Sequence, residues 1–323
     1  MRRVIGLTLA GLGAFLLVVA VFLPTYVAGQ VIKYPLNEYL ETTLEGTGVS
    51  YFSPSMVKPV SGATIRVTST VKGDAAAGTS STAVWNTFTY LYDLTNSAPF
   101  EFSSRRFAFD RRSAELVNCC GANVNGNTAI RQSGLVGFLW PIGTRQTTYQ
   151  VFDSGLNKPR PARFAGTGTV DGIKVDKFVE HVPRTKSGTQ AVPGALIGLP
   201  GSPVVTLTEY YTATNTFYVD PVTGAQLNTH EDQEVTIQDA TGAHRLLLFD
   251  GILTTTPPSI RAAVALDNTG RSELTLLRVI IPLACGLAGV VALAGGILLA
   301  RRREDDRPDT ADAQPGLDPA PAP

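Results

Sequence analysis

The sequence is poor in the groups that do chemistry at neutral pH. It has three cysteines and three histidines in 323 residues. His181, His230 and His244 fall on separate predicted strands without ligand spacing, so no metal site is expected. His230-Glu231-Asp232 lacks the HExxH arrangement of a zinc protease. No G-x-S-x-G elbow, Walker loop or dinucleotide glycine pattern occurs. No catalytic residue can be named, so neither an enzyme nor a cofactor is expected. Lys plus Arg equals Asp plus Glu at 27 each, and this balance gives no reason to expect nucleic acid. Charged residues are only 17%, against about a quarter in soluble domains, and two apolar stretches account for much of the deficit.

Those stretches are residues 4–23 and 279–300. Each is free of charge and near the ~20 residues that span a bilayer as helix. Arg2 and Arg3 precede the first, and Arg301 to Arg303 follow the second. The positive-inside rule then places residues 1–3 and 301–323 in the cytoplasm and 24–278 outside it. Pro24 marks the expected end of the first helix. The alternative is a signal peptide cleaved after Val27-Ala28-Gly29, but the apolar run exceeds a signal core. Neither span has an interior ionisable residue, so both read as anchors. Gly286, Ala288, Gly289, Gly295 and Gly296 can pack against Gly6, Ala10, Gly11, Gly13 and Ala14. Cys285 reads as a small packing residue. From Glu304 the tail is acidic, then rich in Pro and Ala, and is expected to be disordered.

Between the spans the pattern is β-type. Residues 64–71, 84–92, 106–110 and 147–152 alternate or are rich in aromatic and β-branched residues. Asp171-Gly172 predicts a primed hairpin turn. Residues 204–211, 216–219, 225–238 and 244–253 read as an antiparallel meander with turns at Asp220-Pro221 and Asp239 to Gly242. Helix is expected at 36–43 and 259–266, with a break at Asn268-Thr269-Gly270 and helix again at 272–277. Residues 188–203 read as a Gly/Pro-rich loop. The fold class is a membrane-anchored, mainly β (α+β) extracytoplasmic domain of antiparallel strands between two terminal transmembrane helices.

Two groups of outer residues stand out. Cys119 and Cys120 are adjacent in an oxidising compartment. A vicinal disulfide is favoured, since Gly121 eases a tight turn; buried thiols or pairing between chains are the alternatives. Arg105, Arg106, Arg111 and Arg112 form the densest charge outside the membrane, interleaved with Phe107 and Phe109. They are candidates to grip an anionic headgroup. A solvated strand face with local salt bridges is the plainer reading.

Several short motifs carry a family resemblance: Lys33-Tyr34-Pro35-Leu36, Asp110-Arg111-Arg112 with Asn118, Gln132-Ser133-Gly134-Leu135, and Trp140-Pro141. Thr148-Tyr149, Phe152-Asp153, Tyr218-Val219-Asp220 and Thr223-Gly224 continue it. With the terminal helices they resemble the PorA-like family of actinobacterial membrane proteins, over nearly the whole chain apart from the tail. These markers carry no known chemistry, so no site residue is transferred. The porin name does not follow from the sequence: a membrane barrel needs a steady lipid-facing apolar band. The two-anchor layout also resembles scavenger receptors with a lipid-handling ectodomain, by architecture alone. The leading expectation is a domain that binds or passes membrane lipids or lipoglycans. A scaffold partnering envelope proteins comes second, and a glycan-cleaving enzyme third. The sequence does not fix the oligomeric state.

Overall fold

The computed structural model describes residues 2–239 and 241–301, so the expected disorder of the tail lies outside the described residues. The chain divides into two units, Ile32–Glu273 and the terminal segments joined as Met1–Val31 with Leu274–Pro323.

The larger unit is a mainly antiparallel half-barrel. Its long strands are β1 (Tyr39–Ser53), β2 (Lys58–Gly73), β3 (Thr82–Asp93) and β4 (Ala98–Asp110). The short β5 (Leu116–Val117), β6 (Asn123–Val124) and β7 (Tyr149–Asp153) follow. Then come β8 (Lys158–Val170), β9 (Ile173–Val192), β10 (Val205–Val219), β11 (Gln226–Gln238) and β12 (His244–Thr255). The sheet order is β5-β4-β3-β2-β1-β12-β11-β10-β9-β8-β7, with β6 also on β4. The two edges are tied together at one level by an irregular segment, Gly134–Val136. Leu116 N–H donates to the Gly134 carbonyl and Val136 N–H to that of Ala114 on one side. On the other, Leu135 N–H donates to Gln150 and Phe152 N–H to Leu135. These bonds satisfy backbone groups that an open edge leaves unpaired.

Asp171 (φ 46°) and Gly172 (φ 84°) make the expected primed turn between β8 and β9. A second turn recurs five times. An Asp or Ser opens it, and four residues later comes a residue in the left-handed region: Ser53 and Val57, Asp93 and Ser97, Asp110 and Ala114, Asp153 and Asn157, Asp220 and Gly224. The opening side chain accepts a backbone N–H inside the turn, as Asp93 does from Thr95 at 2.7 Å and Asp153 from Leu156 at 2.8 Å. Asp93, Asp153, Asp220 and Ser53 are buried because each side chain replaces a backbone partner.

The core is divided along the sheet. Trp85 meets Phe109 edge to face at 4.9 Å, and Trp140 stacks on Phe178 at 4.4 Å. The helices are α1 (Arg2–Phe22), α2 (Ala28–Val31), α3 (Pro257–Thr275) and α4 (Ile281–Arg301). Within the larger unit, α3 packs Ile260, Ala263 and Val264 against Val170, Ile173, Val175 and Leu227.

Four local expectations are corrected. Residues 36–38 are a bend and 39–43 begin β1, because Leu40 and Leu44 take sheet positions opposite Val71 and Val67. Asn268-Thr269-Gly270 does not break α3. Asp267 and Arg271 pair one turn apart, while Thr269 and Ser272 hydroxyls bond back to Ala265 and Asn268 carbonyls. Residues 188–203 are partly strand, since β9 continues to Val192 before a short turn at Gly194–Ile197. Residues 204–219 hold a single strand, β10, with no break at 212–215.

The smaller unit is a helix pair. Pro24 does not end the first helix. A wide π turn, Leu23–Val27, accommodates the missing N–H, and Thr25 Oγ1 donates to the Val21 carbonyl at 2.7 Å. A second π turn, Leu276–Ile280, precedes α4. The stretches Arg2–Val31 and Pro257–Arg301 are long and apolar enough to cross a membrane. α1 and α4 meet along a narrower seam than the sequence proposed: Gly6, Ala10, Gly13, Gly289 and Gly296. A Cβ on Gly6 would stand 2.9 Å from the Gly296 carbonyl oxygen, and one on Gly289 the same from that of Gly13. Gly11, Gly286 and Gly295 lie outside the tight contact.

Candidate functional site

Strand alternation sends Trp85 and Thr87 of β3 to the concave face of the sheet. Register sets Phe107 opposite Trp85 and Arg105 opposite Thr87. Arg105 is therefore drawn inward. Its Nε donates to Gln132 Oε1 at 2.7 Å and its Nη1 to the Val136 carbonyl at 2.8 Å. The guanidinium also lies over two rings, 4.7 Å from the Phe107 centroid and 4.3 Å from that of Phe152. No carboxylate pairs with it among the described residues. Burial pushes its pKa down to about 9. Three buried polar atoms of this wall have no hydrogen-bond partner among the described residues: Arg105 Nη2, Thr87 Oγ1 and Trp85 Nε1. Each can donate a hydrogen bond, so together they suit an acceptor-rich, negatively charged group.

The other three arginines go elsewhere. Arg106, one residue on, points to the convex face. It donates to Asp74 at 2.8 Å, Asn86 at 3.0 Å and the Cys120 carbonyl at 2.9 Å. Arg111 Nε donates to the Tyr34 carbonyl at 2.5 Å, and its Nη1 reaches the Ser80 carbonyl. Arg112 lies in the turn after Asp110, whose Oδ1 accepts its N–H. The run is dense in sequence, but alternation and the turn spread it over separate surroundings. Cys119 and Cys120 have their sulfurs in bonding contact, with Cys120 at φ 60° and Gly121 at φ 77°. Sequence reasoning missed Trp85, Thr87 and the role of Gln132. Alternation in VWNTFTYLY placed Trp85 and Thr87 on one face, but only the β3–β4 register brings Arg105 to them.

The opposite wall is acidic. Glu180 (β9), Asn215 (β10) and Glu231 (β11) sit side by side in register. Asn215 Nδ2 donates to Glu180 Oε2 at 2.8 Å. Glu180 Oε1, Asn215 Oδ1 and Asp153 Oδ2 are buried and have no hydrogen-bond partner among the described residues. Burial first, then the Asp153 carboxylate, raises the pKa of both Glu180 and Glu231 to about 7. Glu101 of β4 keeps solvent access, yet burial and then Glu209 of β10 raise its pKa.

A third polar cluster is structural. Asp220 accepts Arg271 Nη2 at 2.6 Å and Nε at 2.7 Å, and Asp267 accepts Nε at 3.2 Å. Thr223 Oγ1 lies within hydrogen-bonding reach of both carboxylates and can donate its one proton to either. Tyr34 Oη donates to the Trp140 carbonyl at 2.7 Å, with that of Thr223 at 3.2 Å. Gly224 has φ 77°, and a Cβ there would collide with the Trp140 carbonyl. The motifs Lys33 to Leu36, Trp140-Pro141 and Thr223-Gly224 thus converge on one junction, and Gly134-Leu135 ties the sheet edges.

A family model described as Porin PorA matches residues 5–298. The chain belongs to the PorA porin family. A Porin PorA of Corynebacterium resistens is 28% identical over 165 aligned residues, covering 36% of this chain and 40% of that relative. The match thus spans well under half the length of that curated PorA. PorA membership suggests a cell-envelope protein and fits the two apolar helices at the ends.

Proposed function

We propose that the chain is anchored in the plasma membrane by both terminal helices, with both ends cytoplasmic and residues 32–273 outside. We further propose that the concave face binds the anionic headgroup of an envelope lipid or lipoglycan. The observation that carries this reading is Arg105. A buried cation is costly unless an anion meets it, and no carboxylate of the described chain does so. A phosphate or carboxylate suits the free edge of a guanidinium, while Trp85 Nε1 and Thr87 Oγ1 would add neutral donors. Arg2, Arg3 and Arg301 at the outer helix ends support the orientation.

The test is native mass spectrometry of the full chain from mixed micelles holding phosphatidylinositol or phosphatidylcholine. Wild type and a surface control, Arg66→Met, are expected to retain the anionic lipid, and Arg105→Met to lose it. Arg105→Lys, which keeps the charge but not the fork, is expected to bind more weakly. Equal binding by wild type and Arg105→Met, or no preference for the anionic lipid, would sink the idea.

A pore is the second reading, favoured by the family's name and by the tie between the sheet edges. Against it, outward positions carry Thr206, Thr212, Thr214, Asp232 and Glu234 in place of an apolar band. Stepwise conductance in planar bilayers would favour it over headgroup binding.

A further inference from the structure

We propose that the convex face of β3 and β4 carries a shallow site for a neutral glycan strand. This site is on the opposite face of the sheet from Arg105 and does not depend on the headgroup reading. Alternation sends Phe88, Tyr90 and Tyr92 outward along β3, and register sets Phe102 of β4 opposite Tyr90. Phe102 lies 6.2 Å from both the Phe88 and Tyr90 rings, with interplanar angles of 28° and 14°. These rings are open to water: Phe88 is 50% and Phe102 60% exposed. A water-facing shelf of aromatic rings costs hydrophobic free energy, and such patches commonly mark contact sites.

Beside the shelf is a cavity of about 260 Å³ lined by Phe88, Phe102, Ser103, Ser104 and Asn125. None of these is charged. Asn125 is fixed there at φ 51°. Its Oδ1 accepts the Ser104 N–H at 2.7 Å, and its own N–H donates to the Ser104 carbonyl at 2.7 Å. Ser104 Oγ and Asn125 Nδ2 make no hydrogen bond with the described residues, and alternation puts Ser104 on the same face as Phe102. β5 and β6 pair with β4 only between Arg105 and Phe109, so the strand edge at Phe102 is unpaired by strand.

The lining selects its ligand by chemistry. A sugar ring offers a C–H face, which packs on the electron-rich face of an aromatic ring, and a rim of hydroxyls for Ser and Asn. An acyl chain or apolar peptide would leave those polar groups unpaired. A charged ligand finds no counter-charge in the lining.

The experiment is calorimetric titration of the full chain in detergent with maltohexaose, cellohexaose, arabinohexaose and, as a charged comparison, hexagalacturonate. At least one neutral hexasaccharide is expected to bind, and hexagalacturonate at least ten-fold more weakly. Phe88→Ala and Phe102→Ala should each weaken binding about ten-fold or more. Phe102→Tyr should keep it, as should Tyr39→Ala, which removes an exposed ring elsewhere. Unchanged thermal unfolding would separate a lost contact from a lost fold. Overturning results are no binding of any neutral glycan at millimolar concentration, equal binding by the Phe→Ala variants, or Phe102-dependent self-association with no glycan effect.

Discussion

Gln132 Oε1 accepts the Arg105 Nε–H at 2.7 Å, and Gln132 Nε2 donates to the Arg106 carbonyl at 2.9 Å. One amide therefore holds both the inward guanidinium and the backbone just after it. Asn118 fixes that amide in turn, exchanging 2.6 Å and 2.8 Å bonds with the Gln132 main chain. Gln132→Met keeps the volume but removes the bonds and leaves Arg105 Nε unpaired. Its expected cost is about 1–3 kcal/mol, read by thermal unfolding in detergent. A change within error would mean that the amide does not position Arg105.

Val57 holds φ at 51°, a conformation that β-branched residues resist. Its side chain is exposed, so little packing depends on it. Asn tolerates this region, and the equivalent position in the turn from Asp153 is Asn157. Val57→Asn is expected to stabilise the protein by about 1 kcal/mol, raising Tm by a few degrees. A lower Tm would show that the strain has been misjudged.

Much of the sheet was legible because it follows local rules. Asp171-Gly172 announces its hairpin, and the alternation in β3 assigns both faces. The repeated turn was also written in the chain, but only its first and fifth residues recur in type or conformation. Ser53-Pro54-Ser55-Met56-Val57 and Asp220-Pro221-Val222-Thr223-Gly224 share little else. Gly134–Val136 was hidden because a short irregular segment has no periodicity, yet it ties the two edges. The arginines misled for a related reason. Arg105 and Arg106 are neighbours in sequence, and a strand sends neighbours to opposite faces.

Arg271 is the cation between Asp220 and Asp267, whose side chains have no solvent exposure. Arg271→Met would leave both carboxylates buried without their partner beside Thr223. Breaking a buried pair from one side costs about 3–5 kcal/mol; Arg271 keeps some solvent access, so the lower end is expected. Asp220→Asn with Arg271→Met should recover part of the loss. Urea unfolding of both variants reads this, and a harmless Arg271→Met would refute the role of the junction.

Glu180 and Glu231 set the pH dependence on the concave side. Both have pKa values raised from the ordinary 4.5 to about 7, by burial first and then by Asp153. The fold therefore favours their protonated forms. Protonation suits the surroundings, because a Glu180 O–H adds a donor among buried oxygens that have no partner with the described residues, while Asn215 Nδ2 bonds to Oε2 at 2.8 Å. The stabilisation is complete below about pH 4.5 and is lost as pH rises through about 7, at up to about 1.4 kcal/mol for each pH step between those limits. Glu180 is 1% exposed and should contribute most; Glu231 keeps some solvent access, which weakens its share. Asp93 works in reverse. Burial raises its pKa, but bonds from Asn96, Tyr51 and Thr95 outweigh this and lower it, so its contribution disappears only in stronger acid. Between pH 5 and 8 the wild-type Tm is expected to fall. Glu180→Gln, neutral at every pH, should flatten the curve and unfold at a higher temperature than wild type at pH 8. A wild-type Tm that is flat or rising over that interval, with Glu180→Gln running parallel to it, would contradict protonation of Glu180 in the folded state.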